Sequence, residues 1–162
     1  MILAAFTLFH VVLSLVGIGA GFAVVYGLIA SKLFNGWTTL FLITTVATSV
    51  TGFMFPVHQL MPSHVLGILS LIALAAAILA RYRFKLAGAW RRTYVVSAIV
   101  ALYFNVFVLI VQLFRRVPAL QAIAPTQSEP PFAVAQLVVL LLFIFLGFRA
   151  AARFHSQSPR TA

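Results

Sequence analysis

Five apolar runs, each close to the length that crosses a bilayer, constrain the fold of this chain more than any other feature. They cover residues 2–30, 38–55, 63–80, 93–114 and 132–148. A hydrocarbon core of about 30 Å needs roughly 20 apolar residues in a helix, and backbone groups in lipid must hydrogen-bond within their own segment. The sequence therefore predicts an all-α integral membrane protein. We expect one domain, residues 1–162, folded as a compact bundle of five transmembrane helices.

The composition excludes an ordinary soluble domain. Hydrophobic residues make up 64% of the chain and charged residues only 7%, whereas about a quarter of a soluble protein is charged. The formal net charge of +10 comes from basic residues between the apolar runs, a pattern typical of topology signals and of attraction to anionic lipid. We therefore expect membrane lipid, and no nucleic acid, as a partner. The chain has no cysteine, which excludes disulfides, thiolate metal sites and thiol catalysis.

The distribution of Lys and Arg predicts the orientation. All basic residues except Arg115 and Arg116 fall in the first gap, in the third gap or after the fifth run, and these three segments share one side of the membrane. Because basic loops stay in the cytoplasm, the amino terminus is predicted outside and the carboxyl terminus inside. A bacterial inner (plasma) membrane is the expected location.

Small and polar residues follow one face of several runs. In the first run, His10, Ser14, Gly17 and Gly21 lie on the same side of a helix. Gly17 and Gly21 form a small-xxx-small pair that lets another helix approach closely, within the bundle, in another membrane protein or in a second copy of this chain. Thr48 belongs to a hydroxyl-rich face of the second run.

The fourth run carries Asn105 and Gln112 in one polar stripe. Hydrocarbon offers polar side chains no partner, so the stripes of these runs are predicted to point inward. They have two interpretations: interhelical hydrogen bonds, or the lining of a ligand or ion site.

Three histidines are candidate ligands, and the predicted topology places all three on the outer side. His10 lies about a third of the way into an apolar helix, where an imidazole is expensive unless it is paired or liganded. Its alternative is a hydrogen bond to a Thr or Ser of the second run. His58 lies in a loop and His64 opens the third run, so solvation and an interfacial position are their ordinary explanations. We predict that His10 and His64 approach each other near the outer face, directly or across a ligand.

Glu129 is the only acidic residue of the chain. At the start of the fifth run it can complement the positive end of the helix dipole, or pair with Arg115 or Arg116. A role as proton carrier or metal ligand is the functional alternative.

Function is less constrained than location. Phosphate-binding glycine loops, nucleophile elbows and carboxylate pairs are missing from the sequence, and the pattern does not decide whether the protein is an enzyme. The first hypothesis is a ligand-binding or redox protein with an outer site on His10 and His64 for haem b, a metal ion or a quinone-like molecule. The second is an accessory or scaffold subunit of a membrane complex, and the third is a minimal carrier or channel.

Overall fold

The computed structural model describes residues 2–55 and 62–155. Within these ranges every regular element is helical, so the predicted all-α fold is confirmed there. The elements are α1 (Ile2–Ile29), α2 (Asn35–Gly52), α3 (Pro62–Ile78), a π-helical turn (Leu79–Arg83), α4 (Trp90–Arg116), α5 (Pro118–Ile123) and α6 (Pro130–Arg153).

Four of these helices are long and apolar enough to cross a membrane: α1, α3 with its π-helical turn, α4 and α6. The second predicted span corresponds to α2, whose 18 residues include six threonines and a serine. Hydroxyl groups lower the hydropathy of α2, although at a rise of about 1.5 Å per residue it is still about 27 Å long.

The helices depart from the apolar runs mainly at the two ends of the bundle. α6 continues to Arg153, beyond the predicted end at 148, because arginine is a good helix former whose long side chain reaches polar surroundings from a helical backbone. α5 was not predicted at all. It begins with Pro118 at its first turn, where proline needs no intrahelical partner for its missing N–H.

Two polar contacts show which ends of the helices lie together. Arg81, in the turn after α3, donates a 2.6 Å hydrogen bond to the side-chain carbonyl of Asn35 at the start of α2. The Ser31 hydroxyl and the backbone N–H of His155 are 3.0 Å apart, which joins the carboxyl ends of α1 and α6. The basic residues of the first gap, the third gap and the end of α6 therefore share one end of the bundle, which we call the basic end.

Gly17 and Gly21 bring α1 close to α2 and α4. A Cβ atom on Gly17 would lie 3.0 Å from Thr44 Oγ1, and one on Gly21 would lie 2.5 Å from Leu102 Cδ1. The predicted close helix contact is confirmed. Both glycines are buried against helices of the same chain, so these contacts occupy the surface they would otherwise offer to a partner.

The hydroxyl groups of α2 face the interior of the bundle. Thr38, Thr44, Thr45 and Thr48 are buried, as is Asn105 of α4. Bonds from α2 reach two neighbouring helices: Asn105 donates to Thr45 Oγ1 at 3.5 Å, and Ser49 donates to Ser70 at 3.3 Å. The inward orientation predicted for these stripes is therefore confirmed for Thr48 and Asn105.

Candidate ligand site around His10

His10 lies beside the last turn of α2. Eight residues of α1 precede it in the described chain, about 12 Å at the helical rise, so the start of α1 extends past the end of α2. Its Nδ1 is 2.8 Å from Thr51 Oγ1. This bond is one of the two alternatives that the sequence leaves open for His10.

The hydrogen bonds of Thr51 fix the tautomer of His10. Thr51 Oγ1 also lies 2.7 Å from the carbonyl oxygen of Ala47 and 3.2 Å from that of Thr48. A carbonyl oxygen can only accept, and a hydroxyl has a single proton to donate. Because that proton is used by the α2 backbone, the imidazole must supply the proton of the other contact. His10 therefore donates from Nδ1–H, and its Nε2 has no proton and can accept a hydrogen bond.

A pair of aromatic side chains lies on one side of this imidazole. The Phe55 ring meets it edge-on with the centroids 5.2 Å apart, and the Phe6 ring lies 5.0 Å from the Phe55 ring. Gly52 of α2 lies beside the ring, and a Cβ atom there would be 3.7 Å from His10 Cε1, an ordinary contact. His10 is only partly buried, and none of the described residues gives its Nε2 a hydrogen-bond partner.

His64 contacts a different residue of the same region. It is buried near the start of α3, and its ring centroid is 5.6 Å from that of Phe53. α2 packs against α1 on one side and α3 on the other, so both histidines contact the end of α2. Their approach to each other stays a prediction. His58 lies outside the described residues.

Thr48, which the sequence places on the hydroxyl-rich face of the second run, lies one helical turn deeper in α2 than Thr51. It is buried, and its hydroxyl has no hydrogen-bond partner within residues 2–55 and 62–155. Ser14, one turn along α1 from His10, is partly buried. Asn105 is deeper still, beside Gly17. Gln112 is exposed on α4, so it does not belong to this interior group.

Glu129 closes the loop that precedes α6. Its carboxylate accepts hydrogen bonds from the Thr126 hydroxyl at 2.8 Å and from the backbone N–H groups of Thr126 and Ser128 at 3.2 and 3.1 Å. Desolvation favours the neutral acid, but these bonds together outweigh it and hold the pKa of Glu129 below its ordinary value. Among the described residues the partners of Glu129 are thus loop groups, and not Arg115 or Arg116.

The same loop is attached to α4 through amide side chains. Gln127 donates to the Val111 carbonyl at 2.8 Å, and Gln136 of α6 donates to the Phe107 carbonyl at 3.2 Å. The two carbonyls are one helical turn apart, so both bonds join the same face of α4. This arrangement accounts for the polar composition of the 124–132 segment.

A second polar cluster, at the basic end, was missed from the sequence. Besides its bond to Asn35, Arg81 lies over the ring of Tyr94 at 5.6 Å, and the Tyr94 hydroxyl donates to Thr38 at 3.5 Å. In a chain with one carboxylate, a partly buried guanidinium must use amide oxygens and aromatic faces. An arginine at the end of an apolar run, with tyrosines nearby, was the available signal.

The described residues contain no group of three or more His, Cys, Asp or Glu side chains placed to hold a metal ion. Comparisons with family models, with curated proteins and with solved structures find no match to this chain. The geometry around His10 is therefore the feature of this chain that points to a function.

Proposed function

We propose that the chain crosses a bacterial inner membrane five times, with the amino terminus outside and the carboxyl terminus in the cytoplasm. α2 supplies the fifth span. Several of its hydroxyls are compatible with a membrane interior because they bond within the bundle, as in the 2.7 Å contact from Thr44 to the Leu40 carbonyl. The Thr48 hydroxyl, which has no partner among the described residues, is buried away from lipid. Arg92 and Arg115 lie 23 residues apart on α4, about 34 Å along the helix. This length matches a hydrocarbon core with one arginine at each interface.

His10 then lies inside the outer part of the bilayer. The bond between Thr45 and Asn105 sets a common depth for α2 and α4. On α2, Thr51 follows Thr45 by six residues and lies about 9 Å closer to the outer surface. On α4, Arg115 follows Asn105 by ten residues and lies about 15 Å closer to the outer surface. The imidazole bonded to Thr51 is therefore about 6 Å below the outer arginine level, within reach of molecules dissolved in the lipid.

The function best supported is binding of a lipid-soluble molecule that carries an aromatic ring and a hydroxyl donor, the chemistry of a hydroquinone. The observation that carries this proposal is the Nδ1–H tautomer of His10, which leaves Nε2 as a hydrogen-bond acceptor. A hydroquinone hydroxyl can donate to Nε2, whereas the oxidised quinone has only acceptors. The Phe6 and Phe55 rings supply aromatic surfaces for the ring of the ligand.

Haem b remains the second ligand class for this site. An imidazole whose other nitrogen donates to a fixed acceptor is the usual arrangement of a histidine that ligates a metal. The hydroquinone is preferred because the Nε2 acceptor and the neighbouring Phe6 and Phe55 rings match a hydroxyl donor and an aromatic ring. Visible absorption spectra of the purified protein, oxidised and reduced, separate the two classes, since a Soret band selects haem.

Titration with a short-chain benzoquinol and with the corresponding quinone tests the proposal. The wild-type protein should bind the quinol about tenfold more tightly than the quinone. This ratio corresponds to about 1.4 kcal/mol of binding free energy, which is near the upper end of what one hydrogen bond contributes. His10→Phe should abolish this preference. His155→Phe, the same change at the basic end, should preserve it. Equal binding of quinol and quinone by the wild-type protein would refute the proposed site.

Thr51→Val gives a more selective test. Valine preserves the shape of threonine but cannot accept the proton from Nδ1, so the imidazole becomes free to carry its proton on Nε2. We expect the preference for the quinol to fall toward unity while binding of the quinone persists. A preference unchanged in this variant would show that Thr51 does not set the tautomer.

A role as accessory subunit is the second candidate, and α6 is the observation that favours it. One side of α6 packs on the bundle through Phe143 and Ala150, and its other side is exposed and has no neighbour among the described residues. This apolar face includes Leu137, Val138, Leu141, Ile144, Phe145 and Phe148. If this face docks another membrane protein, Val138→Trp and Leu141→Trp should dissociate a complex that the wild-type protein retains in mild detergent. The same substitutions should leave quinol binding at His10 unchanged.

A further inference from the structure

A shallow groove runs between α3 and α4 near the basic end. The His10 region lies nearer the opposite end of the bundle. Its volume is about 510 Å³. Six residues line it: Ala73, Arg92, Thr93, Val96, Ser97 and Val100. Five of them belong to α4 and follow one side of that helix away from the basic end.

The walls of this α3–α4 groove are apolar to any occupant, despite the two hydroxyl groups. Ser97 donates its proton to the Thr93 carbonyl of its own helix, and Thr93 donates to the Ala89 carbonyl at 3.2 Å. Neither hydroxyl has a proton left for a ligand. The small side chains of Ala73 and Ser97 leave the space that a larger residue would fill.

Positive charge is concentrated at one end of the groove. Arg92 is exposed, and the same basic end of the bundle carries Arg81, Arg83, Lys85 and Arg91. The single acidic residue, Glu129, precedes α6 at the opposite end of the bundle. An occupant with a negative head group and an apolar chain is therefore complementary to the groove along its whole length.

We infer that the α3–α4 groove binds an anionic phospholipid of the cytoplasmic leaflet, with its phosphate at Arg92 and an acyl chain along Val96 and Val100. Arg92 and Val100 are eight residues apart, about 12 Å along α4, so the groove accommodates the upper part of an acyl chain. Basic residues at the membrane surface each attract anionic lipid by about 1 kcal/mol, which corresponds to roughly a fivefold preference. The guanidinium can also form two parallel hydrogen bonds to phosphate oxygens.

Native mass spectrometry of the full chain tests this inference, with phosphatidylglycerol and phosphatidylcholine of identical acyl chains added to the detergent. We expect the wild-type protein to retain phosphatidylglycerol about fivefold more than phosphatidylcholine. Arg92→Gln should remove this preference. Arg83→Gln is the matched control, since it removes the same charge from the same basic end but outside the groove lining, and it should keep most of the preference.

Ala73→Phe tests the apolar part of the site. A phenylalanine at this position fills the groove, so retention of both lipids should fall while the charge of the protein stays the same. Thermal unfolding followed by fluorescence of Trp37 and Trp90 checks that each variant is folded. Equal loss of the lipid preference in Arg92→Gln and Arg83→Gln would overturn the inference in favour of diffuse attraction, and unchanged lipid retention in Ala73→Phe would overturn the acyl-chain position.

Discussion

Gly21→Ala tests whether the seam between α1, α2 and α4 is as tight as the structure places it. The added Cβ atom would lie 2.5 Å from Leu102 Cδ1 and 3.1 Å from Phe41 Cδ2. Ordinary carbon contacts are about 3.5–4.0 Å, so the Leu102 side chain would have to move by about 1 Å. Leu102 is fully buried and cannot turn into lipid. Overpacking of this kind costs about 1–3 kcal/mol, and we expect Gly21→Ala to lose about that much stability.

Gly19→Ala is the matched control for this substitution. Gly19 is in the same helix, and a Cβ atom there would meet nothing within 4 Å. Alanine should therefore be neutral or slightly stabilising at position 19, because it restricts the unfolded chain. Thermal unfolding in detergent and in lipid nanodiscs measures both variants. Equal stability of Gly21→Ala and Gly19→Ala would refute the packing argument.

Three further results are expected. A periplasm-only reporter should be inactive when fused at Ala87 and active when fused at Gln121, and activity at Ala87 would overturn the topology. Asn105→Val removes the 3.5 Å hydrogen bond to Thr45. It should destabilise the fold by only about 0.6 kcal/mol, the average for hydrogen bonds between membrane helices. A loss above about 3 kcal/mol in thermal unfolding would show that Asn105 does more than join two helices. Because hydrogen bonds depress the pKa of Glu129, their stabilising effect is present at neutral pH and is lost as pH falls through that depressed pKa. The protection of the Thr126 amide against hydrogen exchange, taken relative to an unstructured peptide at the same pH, should therefore fall below about pH 4.5, the ordinary value for this carboxyl. Glu129→Gln should lower the same protection at pH 7.

The sequence predicts the helices of this protein well because hydrocarbon leaves the backbone few alternatives. The predicted runs overlap all five long helices, and the small-residue pair at Gly17 and Gly21 identifies the face of α1 that is buried. α5 and the π-helical turn after α3 were not predicted. Both lie where the apolar runs end, so hydropathy carries no information about their backbone conformation.

The sequence identifies His10 as a candidate residue, but it does not identify the residues that contact it. Helical periodicity places His10 on an inward face, yet it cannot choose among the hydroxyls of α2, because Thr44, Thr48 and Thr51 differ only in depth. That choice depends on how far α1 extends past α2, which is decided by packing between helices. Glu129 shows the same limit, since its loop partners depend on a turn in which Gln127 has a positive φ of 62°.

The protonation state of His10 is the central claim, and ¹⁵N NMR of histidine-labelled protein measures it directly. The His10 signals can be assigned by their loss in His10→Phe. We expect a protonated Nδ1 and an unprotonated Nε2 in the free protein, with Nε2 shifting when a benzoquinol is added and staying unchanged with the quinone. A free protein that carries its His10 proton on Nε2, or an Nε2 signal that ignores the quinol, would contradict the account.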